Sequence, residues 1–581
     1  MKKMTALLLL TTFLCAALLG SSVFCAVLGD LNDDGELNNK DVVVLFRALS
    51  GGENTLDKDV ADINGDGEIN NKDVVALFRA VSGGEPLGEI VYAKSFSVSR
   101  AIGKDMVIQR NEPIRIWGWA PDTEEGKYVR AEFSGLSGRA KIKNGEWMIT
   151  LDALPENTTP QDITIYGDGT ETTIKNVLIG DVYWISGQSN IAYSVQNMNI
   201  EPLSPQEAKN VEVSNDMQIR LNRTWSADFS GKTLGTNEVS KDVLHKRGWQ
   251  KPRIGASAFT ALGYYTAVRL YNALDRKVPI GMIEFDGNGL ALHAFLPNEV
   301  RDELKVSQAD KNGVYSAPGV NPHQSSFIYN LGMYPFQNLP IAGFIWYQGE
   351  SDCASSNNNC YAYAERFTAF IKYIRDKHDL VNHDYPVYIV ELSPSFQYNS
   401  NGQANQYIDF ATVRMNMGSI PTMLENAHIC STEDLWKDKE YNNNLHPYNK
   451  WELSERMTKL ILANGLGIGD IAEGEGPIVD SFTVSADGKT AIVKFNNVGQ
   501  GLVAQGGVLK GFKVATSTAN YSYLYDPTTA KISGKDTVTL TYTKPIKKVA
   551  YNNALANTFP EVVTLCNSAG VPCAAFSINE K

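Results

Sequence analysis

The sequence predicts a multidomain chain in which an α/β domain with a mostly parallel sheet lies between β-sandwich modules, behind a small repeated helical module. Three observations carry this expectation. At 581 residues the chain is too long for one core and has room for about three to five domains of ~100–200 residues. Between about residues 180 and 465, strand-like and helix-like segments alternate, the pattern of a parallel sheet flanked by helices. On either side of that stretch the pattern changes to short alternating strands separated by Gly, Asn and Asp turns.

The first residues read as a secretory signal: Lys2 and Lys3, an apolar run over 6–19, then Gly20, Ser21 and Ser22, with cleavage expected near Ala26. The run is shorter than the ~20 residues a membrane span needs, which weighs against a membrane anchor. No later stretch is apolar enough for membrane insertion, and neither Cys15 nor Cys25 sits in a lipid-attachment pattern. Cys353, Cys360, Cys430, Cys566 and Cys573 follow the signal, at spacings unlike those of a zinc site. Local bridges Cys353–Cys360 and Cys566–Cys573 are open to a secreted protein and would leave Cys430 over. The net charge of −12 argues against nucleic acid or an anionic membrane as partner. Residues 27–88 supply −8 of it, with thirteen Asp/Glu against five Lys/Arg.

That acidic stretch is a repeat. Asp30-Leu-Asn-Asp-Asp-Gly-Glu-Leu-Asn-Asn-Lys-Asp41 recurs 32 residues on as Asp62-Ile-Asn-Gly-Asp-Gly-Glu-Ile-Asn-Asn-Lys-Asp73, and each copy runs into nearly the same helical pattern. A calcium ion takes 6–8 hard oxygen ligands, and a 12-residue loop supplies them from positions 1, 3, 5, 9 and 12, with Gly at position 6 for the sharp turn. The first loop offers Asp30, Asn32, Asp34, Asn38 and Asp41, and the second Asp62, Asn64, Asp66, Asn70 and Asp73. The carbonyls of Glu36 and Glu68 stand at position 7. Two copies in register are poorly explained as a merely solvated acidic loop. Position 12 is Asp where an EF-hand has Glu, and no helix precedes either loop. The pair resembles a type I dockerin, the module that plugs enzymes into the cohesin domains of a cellulosomal scaffoldin. The resemblance implies two structural Ca2+ ions and contact with cohesin through Asn39, Lys40, Asn71 and Lys72. Their identity in both repeats implies docking in either of two orientations related by the internal pseudo-twofold. A regulatory calcium switch is the less favoured alternative in a calcium-replete, extracellular setting.

Residues 83–88 read as a linker. From about 91 to 175, strand patterns such as Pro113-Ile-Arg-Ile-Trp-Gly-Trp, Tyr128-Val-Arg-Ala-Glu-Phe and Gly145-Glu-Trp-Met-Ile-Thr-Leu predict a β-sandwich. Trp117, Trp119 and Trp147 are expected in its core rather than on a glycan-binding platform. In the α/β stretch, strands are expected at 182–185, 278–284, 342–346 and 387–391, with helices at 257–274, 361–378 and 447–463. Beyond Gly465 the alternating β pattern returns.

The first of those strands ends in Gly180-Asp-Val-Tyr-Trp-Ile-Ser-Gly-Gln-Ser189-Asn-Ile, which presents the Ser189 hydroxyl just past a strand end. That is the edge where ligands of open α/β sheets bind, although Gly-x-Ser alone also fits an ordinary turn. A serine needs an imidazole to take its proton and N–H donors to hold the oxyanion that follows. Three later stretches could complete such a site: Ile280-Gly-Met-Ile-Glu-Phe-Asp-Gly-Asn-Gly289, Phe344-Ile-Trp-Tyr-Gln348-Gly-Glu350-Ser-Asp352, and Asn442-Asn-Asn-Leu-His446-Pro-Tyr-Asn-Lys450.

In this order, the three resemble the sialate O-acetylesterase-like branch of the SGNH hydrolases. Met106-Val-Ile-Gln-Arg110 and Asn567-Ser-Ala-Gly-Val-Pro-Cys-Ala-Ala-Phe576 extend the likeness to about 94–578. The resemblance implies an α/β SGNH-hydrolase domain, flavodoxin-like and three-layered, that removes O-acetyl groups from carbohydrate without a catalytic cofactor. Ser189 maps to the nucleophile and His446 to the base. The Ser189 N–H, a glycine-turn N–H (Gly289, or Asn288 beside it) and the Gln348 amide map to the oxyanion hole. Two departures stand out. Asn443 and Asn444 stand where relatives have an acid before the histidine, so Glu350 is the nearest candidate for triad acid, then Asp352 or Asp434, and failing these the pair is a Ser–His dyad. Glu284-Phe-Asp-Gly-Asn-Gly stands where relatives carry Trp-Gly-Gly.

The expected division is 1–26 signal peptide, 27–88 dockerin, 89–178 β module, 179–467 catalytic domain and 468–581 C-terminal β module. The expected function is a secreted, extracellular, cellulosome-associated esterase of acetylated polysaccharide or oligosaccharide such as xylan, mannan or pectin. A sialate O-acetylesterase and a non-catalytic glycan-binding protein of the same fold are the alternatives.

Overall fold

The structure is a computed structural model. It describes residues 28–32, 36–51, 56, 58–65, 68–83, 91–195, 217–225, 238–245, 247–252, 258–306, 325–353, 359–378, 383–393, 410–435, 446, 450–519, 523–552 and 564–580. The signal peptide, Asp34, Asp66, residues 84–88 of the linker, and Asn443 and Asn444 lie outside these. The chain divides into two compact units, one of residues 1–98, 116–151 and 164–173, the other of 99–115, 152–163 and 174–581. Residues 99–115 and 152–163, expected within the β module, thus belong to the second unit.

In the first unit the two repeats form near-identical helices, α1 (Asn39–Gly51) and α2 (Asn71–Val81), and, contrary to expectation, a single helical turn over Lys58–Ala61 directly precedes the second loop. They share a small core of Leu45, Ala61, Ile63 and Leu77. Each helix starts where its loop ends because an asparagine caps it: Asn38 Oδ1 accepts from the Lys40 N–H at 2.9 Å and Asn70 Oδ1 from the Lys72 N–H at 2.8 Å. The β strands of this unit alternate buried and open residues, as in Tyr128–Phe133 and Glu146–Leu151. Trp117 and Trp147 are buried, the latter edge-on to Phe96 at 5.9 Å, which is the core role expected of them, whereas Trp119 is only half-buried.

The second unit is built on a parallel sheet. Its strands are β1 (Glu171–Gly187, whose residues 174–187 belong to this unit), β2 (Ile219–Trp225), β3 (Ile280–Asp286), β4 (Gly343–Tyr347), β5 (Val387–Val390) and β6 (Ala427–Cys430). Their order is β2-β3-β1-β4-β5-β6, with every pairing parallel. β1 and β3 through β6 overlap the predicted strands or extend the set by one, whereas β2, where buried Arg220, Asn222 and Thr224 alternate with Ile219 and Leu221, lacks a continuous apolar run and is not among them. Helices α3 (Ser189–Ala192), α4 (Ala261–Ala273), α5 (Glu350–Cys353), α6 (Tyr363–His378), α7 (Phe410–Ser419) and α8 (Lys450–Leu460), with a shorter helix over Asn298–Glu303, belong to the α/β body. Trp184 at the sheet centre meets Phe285, Phe344 and His378 edge-on, with ring centres 5.0, 6.1 and 4.6 Å away.

Two motif stretches meet in the second half of β1. Arg110 binds both carboxylate oxygens of Asp181, at 2.8 and 3.0 Å, and Gln109 Oε1 accepts the Val182 N–H at 2.8 Å. The Asp of Gly-Asp-Val is therefore a structural anchor. A separate core of Phe495, Phe512, Val538, Tyr551 and Phe576 builds the C-terminal β region. Its tail is held to the α/β body by Glu391, just past β5, whose carboxylate accepts from the Ala575 N–H at 2.8 Å, Ser431 Oγ at 2.9 Å and the Arg414 guanidinium at 3.0 Å.

Neither local disulfide is present. All five described cysteines are buried thiols, and burial pushes Cys430 up to about 12 and Cys573 well above the usual thiol range. Among the described residues no helix is long and apolar enough to cross a membrane.

Candidate functional site

The carboxyl ends of the three central strands lie level. Asp286 at the end of β3 and Tyr347 at the end of β4 both pair with Gly187, the last residue of β1. The chain reverses its direction of travel across the sheet at β1, which is where open α/β sheets form a ligand crevice. Gly187 is required there: its φ is +155°, and an added Cβ would lie 2.0 Å from the Tyr347 carbonyl oxygen. This close approach lets the chain leave the sheet at once, so that Ser189 opens α3 half-buried, with its N–H in the first turn where a helix does not use it.

Gln188 and Gln348 tie the strand ends together. Gln188 Oε1 accepts from Gln348 Nε2 and the Ser351 N–H, each at 3.1 Å. Gln348 Nε2 also lies 2.9 Å from the Leu290 carbonyl and 2.7 Å from Asp352 Oδ2. Tyr363 accepts from Trp346 Nε1 at 2.9 Å and donates to the Gln348 carbonyl at 2.6 Å. The Gln348 amide, expected to face an oxyanion, therefore faces three protein acceptors. Its two hydrogens cannot serve all three and an oxyanion together. The turn after β3 is held by the same hub, since Leu292 donates its N–H to Asp352 Oδ2 at 2.9 Å. Gly289 occupies that turn with φ +69°, and the Gly287 N–H is directed at the Gly187 carbonyl, 3.3 Å away. Glu284 and Asp286, in the segment that replaces Trp-Gly-Gly, are both fully buried on Arg223 of β2, at 3.2 and 2.8 Å.

His446 is brought to α3 by two contacts. Its ring stacks on Tyr193 with centres 6.5 Å apart and planes 18° from parallel. Four residues on, Lys450 donates to Asn190 Oδ1 at 2.7 Å. His446 Nε2 is buried and makes no hydrogen bond. Burial, and secondarily the Lys450 charge, hold the imidazole below its ordinary value of 6.5, so it is a neutral base at neutral pH.

The carboxylates proposed to orient His446 are engaged elsewhere. Glu350 opens α5 and accepts from Asn190 Nδ2, Asp352 joins the Gln348 hub, and Asp434 binds Arg456 at 2.7 and 2.8 Å. Among the described residues no hydrogen bond joins a carboxylate to His446, and Glu350 accepts from Asn190 instead. Burial pushes Glu350 up to about 7, with Asn190 opposing, and pushes Lys450 down to about 7, with Glu350 opposing. Asn190, Tyr193 and Lys450 were not singled out in the sequence, because a lysine in a first helical turn reads as solvent-facing. Lys450 is instead fully buried.

In the dockerin-like repeat, Asp41 and Asp73 are fully buried. Asp41 accepts the N–H groups of Leu31 at 2.9 Å and Asn38 at 2.8 Å, and Asp73 those of Asn64 at 3.1 Å and Asn70 at 2.9 Å. Each loop is thereby wrapped around its last carboxylate. Asp30, Asn32, Glu36, Asp62, Asn64 and Glu68 lie in the described parts of the loops, and this all-oxygen donor set fits calcium. The helices expose a matched apolar pair that sequence reading missed, Val43 and Phe46 on α1 and Val75 and Phe78 on α2, at 45, 56, 48 and 54% exposure. Asn39 and Lys40, and Asn71 and Lys72, are exposed at the start of the same helices.

Residues 179–462 match the family described as carbohydrate esterase, sialic acid-specific acetylesterase, and residues 28–82 match the dockerin type I domain. The chain carries an acetylesterase-family domain and a type I dockerin. The matched family is one of carboxylic ester hydrolases, and type I dockerins bind calcium. Curated relatives of the esterase domain include the sialate O-acetylesterase of Pongo abelii, 26% identical over 55% of this chain and 57% of that protein, and that of Homo sapiens, 25% identical over 55% and 57%. The chain thus spans little more than half the length of these relatives. A carbohydrate acetylesterase from Xanthomonas citri shares the fold, with a TM-score of 0.64 at 22% identity, covering 84% of this chain and all of that one.

Proposed function

We propose that the protein is a secreted carbohydrate O-acetylesterase, docked to a scaffoldin by its dockerin, that deacetylates plant polysaccharides through an acetyl-Ser189 intermediate. The observation that carries this reading is a serine at the sheet's carboxyl edge whose turn is joined to the His446 segment through Tyr193–His446 stacking and the Lys450–Asn190 hydrogen bond, inside a domain of acetylesterase sequence. The same reading takes 1–26 as a signal peptide, 89–178 and 468–581 as β-sandwich modules, and 179–467 as a three-layer, flavodoxin-like catalytic domain.

Ser189 Oγ attacks the acetyl carbonyl while His446 takes its proton. The oxyanion is held by the Ser189 N–H and by the turn containing Gly289. Gln348 fixes that turn from behind, and joins as a donor only by giving up one of its protein acceptors. His446 then protonates the departing sugar hydroxyl, and a water activated by the same imidazole releases acetate. With no carboxylate on His446, its neutral form is secured by burial. Because its pKa is depressed, kcat/KM is expected to stay flat as pH falls through 6.5 and to drop only below it; an acid limb centred above 6.5 contradicts the assignment.

Acetate release from acetylated xylan, mannan and pectin, compared with Ser189→Ala, tests the reading. A second substrate class, O-acetylated sialate, is favoured by the names of the curated relatives and forms a parallel arm. No Ser189-dependent acetate from any of them leaves a glycan-binding protein without esterase activity.

The dockerin is proposed to hold two structural calcium ions and to bind cohesin through either Asn39, Lys40, Val43 and Phe46 or their counterparts Asn71, Lys72, Val75 and Phe78. Calorimetry with a cohesin should show binding abolished by chelator and by Asp30→Ala combined with Asp62→Ala. Replacing the apolar pair on one helix should change affinity only about twofold, while replacing both pairs should abolish it. Undiminished binding in chelator contradicts the calcium claim.

A further inference from the structure

We propose that Lys450, acting through Asn190 and Glu350, is a positioning residue that locks the turn carrying Ser189 to the helix entered from His446. This deepens the esterase reading and rests on it. Burying an ammonium is unfavourable unless hydrogen bonds and opposite charge compensate for lost water. Lys450 is fully buried at the start of α8 as described.

Its partners are placed to transmit position. Lys450 Nζ donates to Asn190 Oδ1 at 2.7 Å, and Asn190 Nδ2 donates to Glu350 Oε1. The amide of the residue next to the nucleophile is thus gripped at both ends, one from the His446 side and one from the β4 side. Nζ also stands 4.6 Å from the centre of the Tyr347 ring and 5.9 Å from that of Tyr193, the ring that stacks on His446. Tyr347 is the residue whose carbonyl approaches Gly187. Lys450 therefore touches groups that set the strand exit, the serine turn and the histidine ring. Glu350, expected from motif order to orient His446, instead acts one residue away from the nucleophile. The titratable groups facing Lys450 among the described residues are Glu350, Tyr347, Tyr193 and His446. Below neutral pH Lys450 is an ammonium, and its charge disfavours the imidazolium of His446.

The test is Lys450→Met, with active sites counted by stoichiometric phosphonylation of Ser189 and kcat and KM measured on acetylated xylan. The expected result is a fall of about 100-fold in kcat per titrated site with KM little changed, the scale of a displacement of about 1 Å in a nucleophile. The acid limb of kcat/KM should also move to higher pH, because removing the ammonium raises the His446 pKa. A purely structural lysine would lower the melting temperature and the number of titrated sites, and leave both quantities per site unchanged; that result overturns the proposal. If Lys450→Met does not fold, Glu350→Gln, which leaves the lysine in place and removes the far end of the relay, decides: a loss of about tenfold in kcat per site supports the relay and no loss overturns it. Acetate release by the unmodified protein that does not depend on Ser189 would sink the esterase reading itself, and this inference with it.

Discussion

Replacing Ser189 by Ala is expected to lower kcat for acetate release by about four orders of magnitude or more, with folding unaffected. The side chain lost is small and half-buried, at a position where α3 is fixed by Asn190 and by the glycine exit from β1, so nothing in the scaffold depends on the hydroxyl. The acetyl transfer depends on it entirely, because no other described hydroxyl or thiol stands where this one does: Cys353 and Cys430 are buried within the body. His446→Ala should cost nearly as much, and the double variant little more than either, since the two act as one unit. A loss of less than about tenfold in Ser189→Ala would mean that acetate leaves by another route. Rates on both variants, with circular dichroism as the check on folding, give the comparison.

The second large effect is on stability. Glu391→Ala is expected to destabilise the α/β body by about 3–5 kcal/mol. Glu391 is fully buried and answers three donors from three parts of the chain: Arg414 of α7, Ser431 after β6 and the Ala575 N–H of the C-terminal strand region. Removing it strands the guanidinium of Arg414, which is 1% exposed, beside Glu433 alone. The main-chain donor of Ala575 is left without its acceptor as well. Calorimetric unfolding should show the major transition move down, with the dockerin transition unchanged. A melting profile indistinguishable from the parent contradicts the anchoring role.

The parts of this protein that could be read from sequence share a physical trait: their pattern is written in one local stretch. The loop-and-helix repeat is visible because hard oxygens and a glycine must recur at set offsets. β1, β3 and β4 are visible because buried central strands are nearly all apolar. β2 does not read as a central strand because buried Arg220, Asn222 and Thr224 interrupt the all-apolar run that marks its neighbours. α7 is buried on most sides and so has no amphipathic stripe. The site shows the same divide. Ser189 and His446 stand in motifs at strand and helix ends, whereas the partners of Gln348 and Glu350 are decided by which loops the sheet order brings together. Gln348 faces Leu290 and Asp352, and Glu350 faces Asn190, and motif order alone could not assign either pairing. The two local cysteine pairs were reasonable by spacing, yet spacing says nothing of whether two buried thiols face each other.

The central claim is that acetyl groups pass through Ser189. The most direct measurement is peptide mapping by mass spectrometry of protein quenched in acid while turning over acetylated xylan. The account predicts acetylation on the peptide containing Ser189, and its absence in Ser189→Ala. Acetate release at full rate with no acetylated Ser189 peptide, or with the acetyl group on another residue, would contradict it.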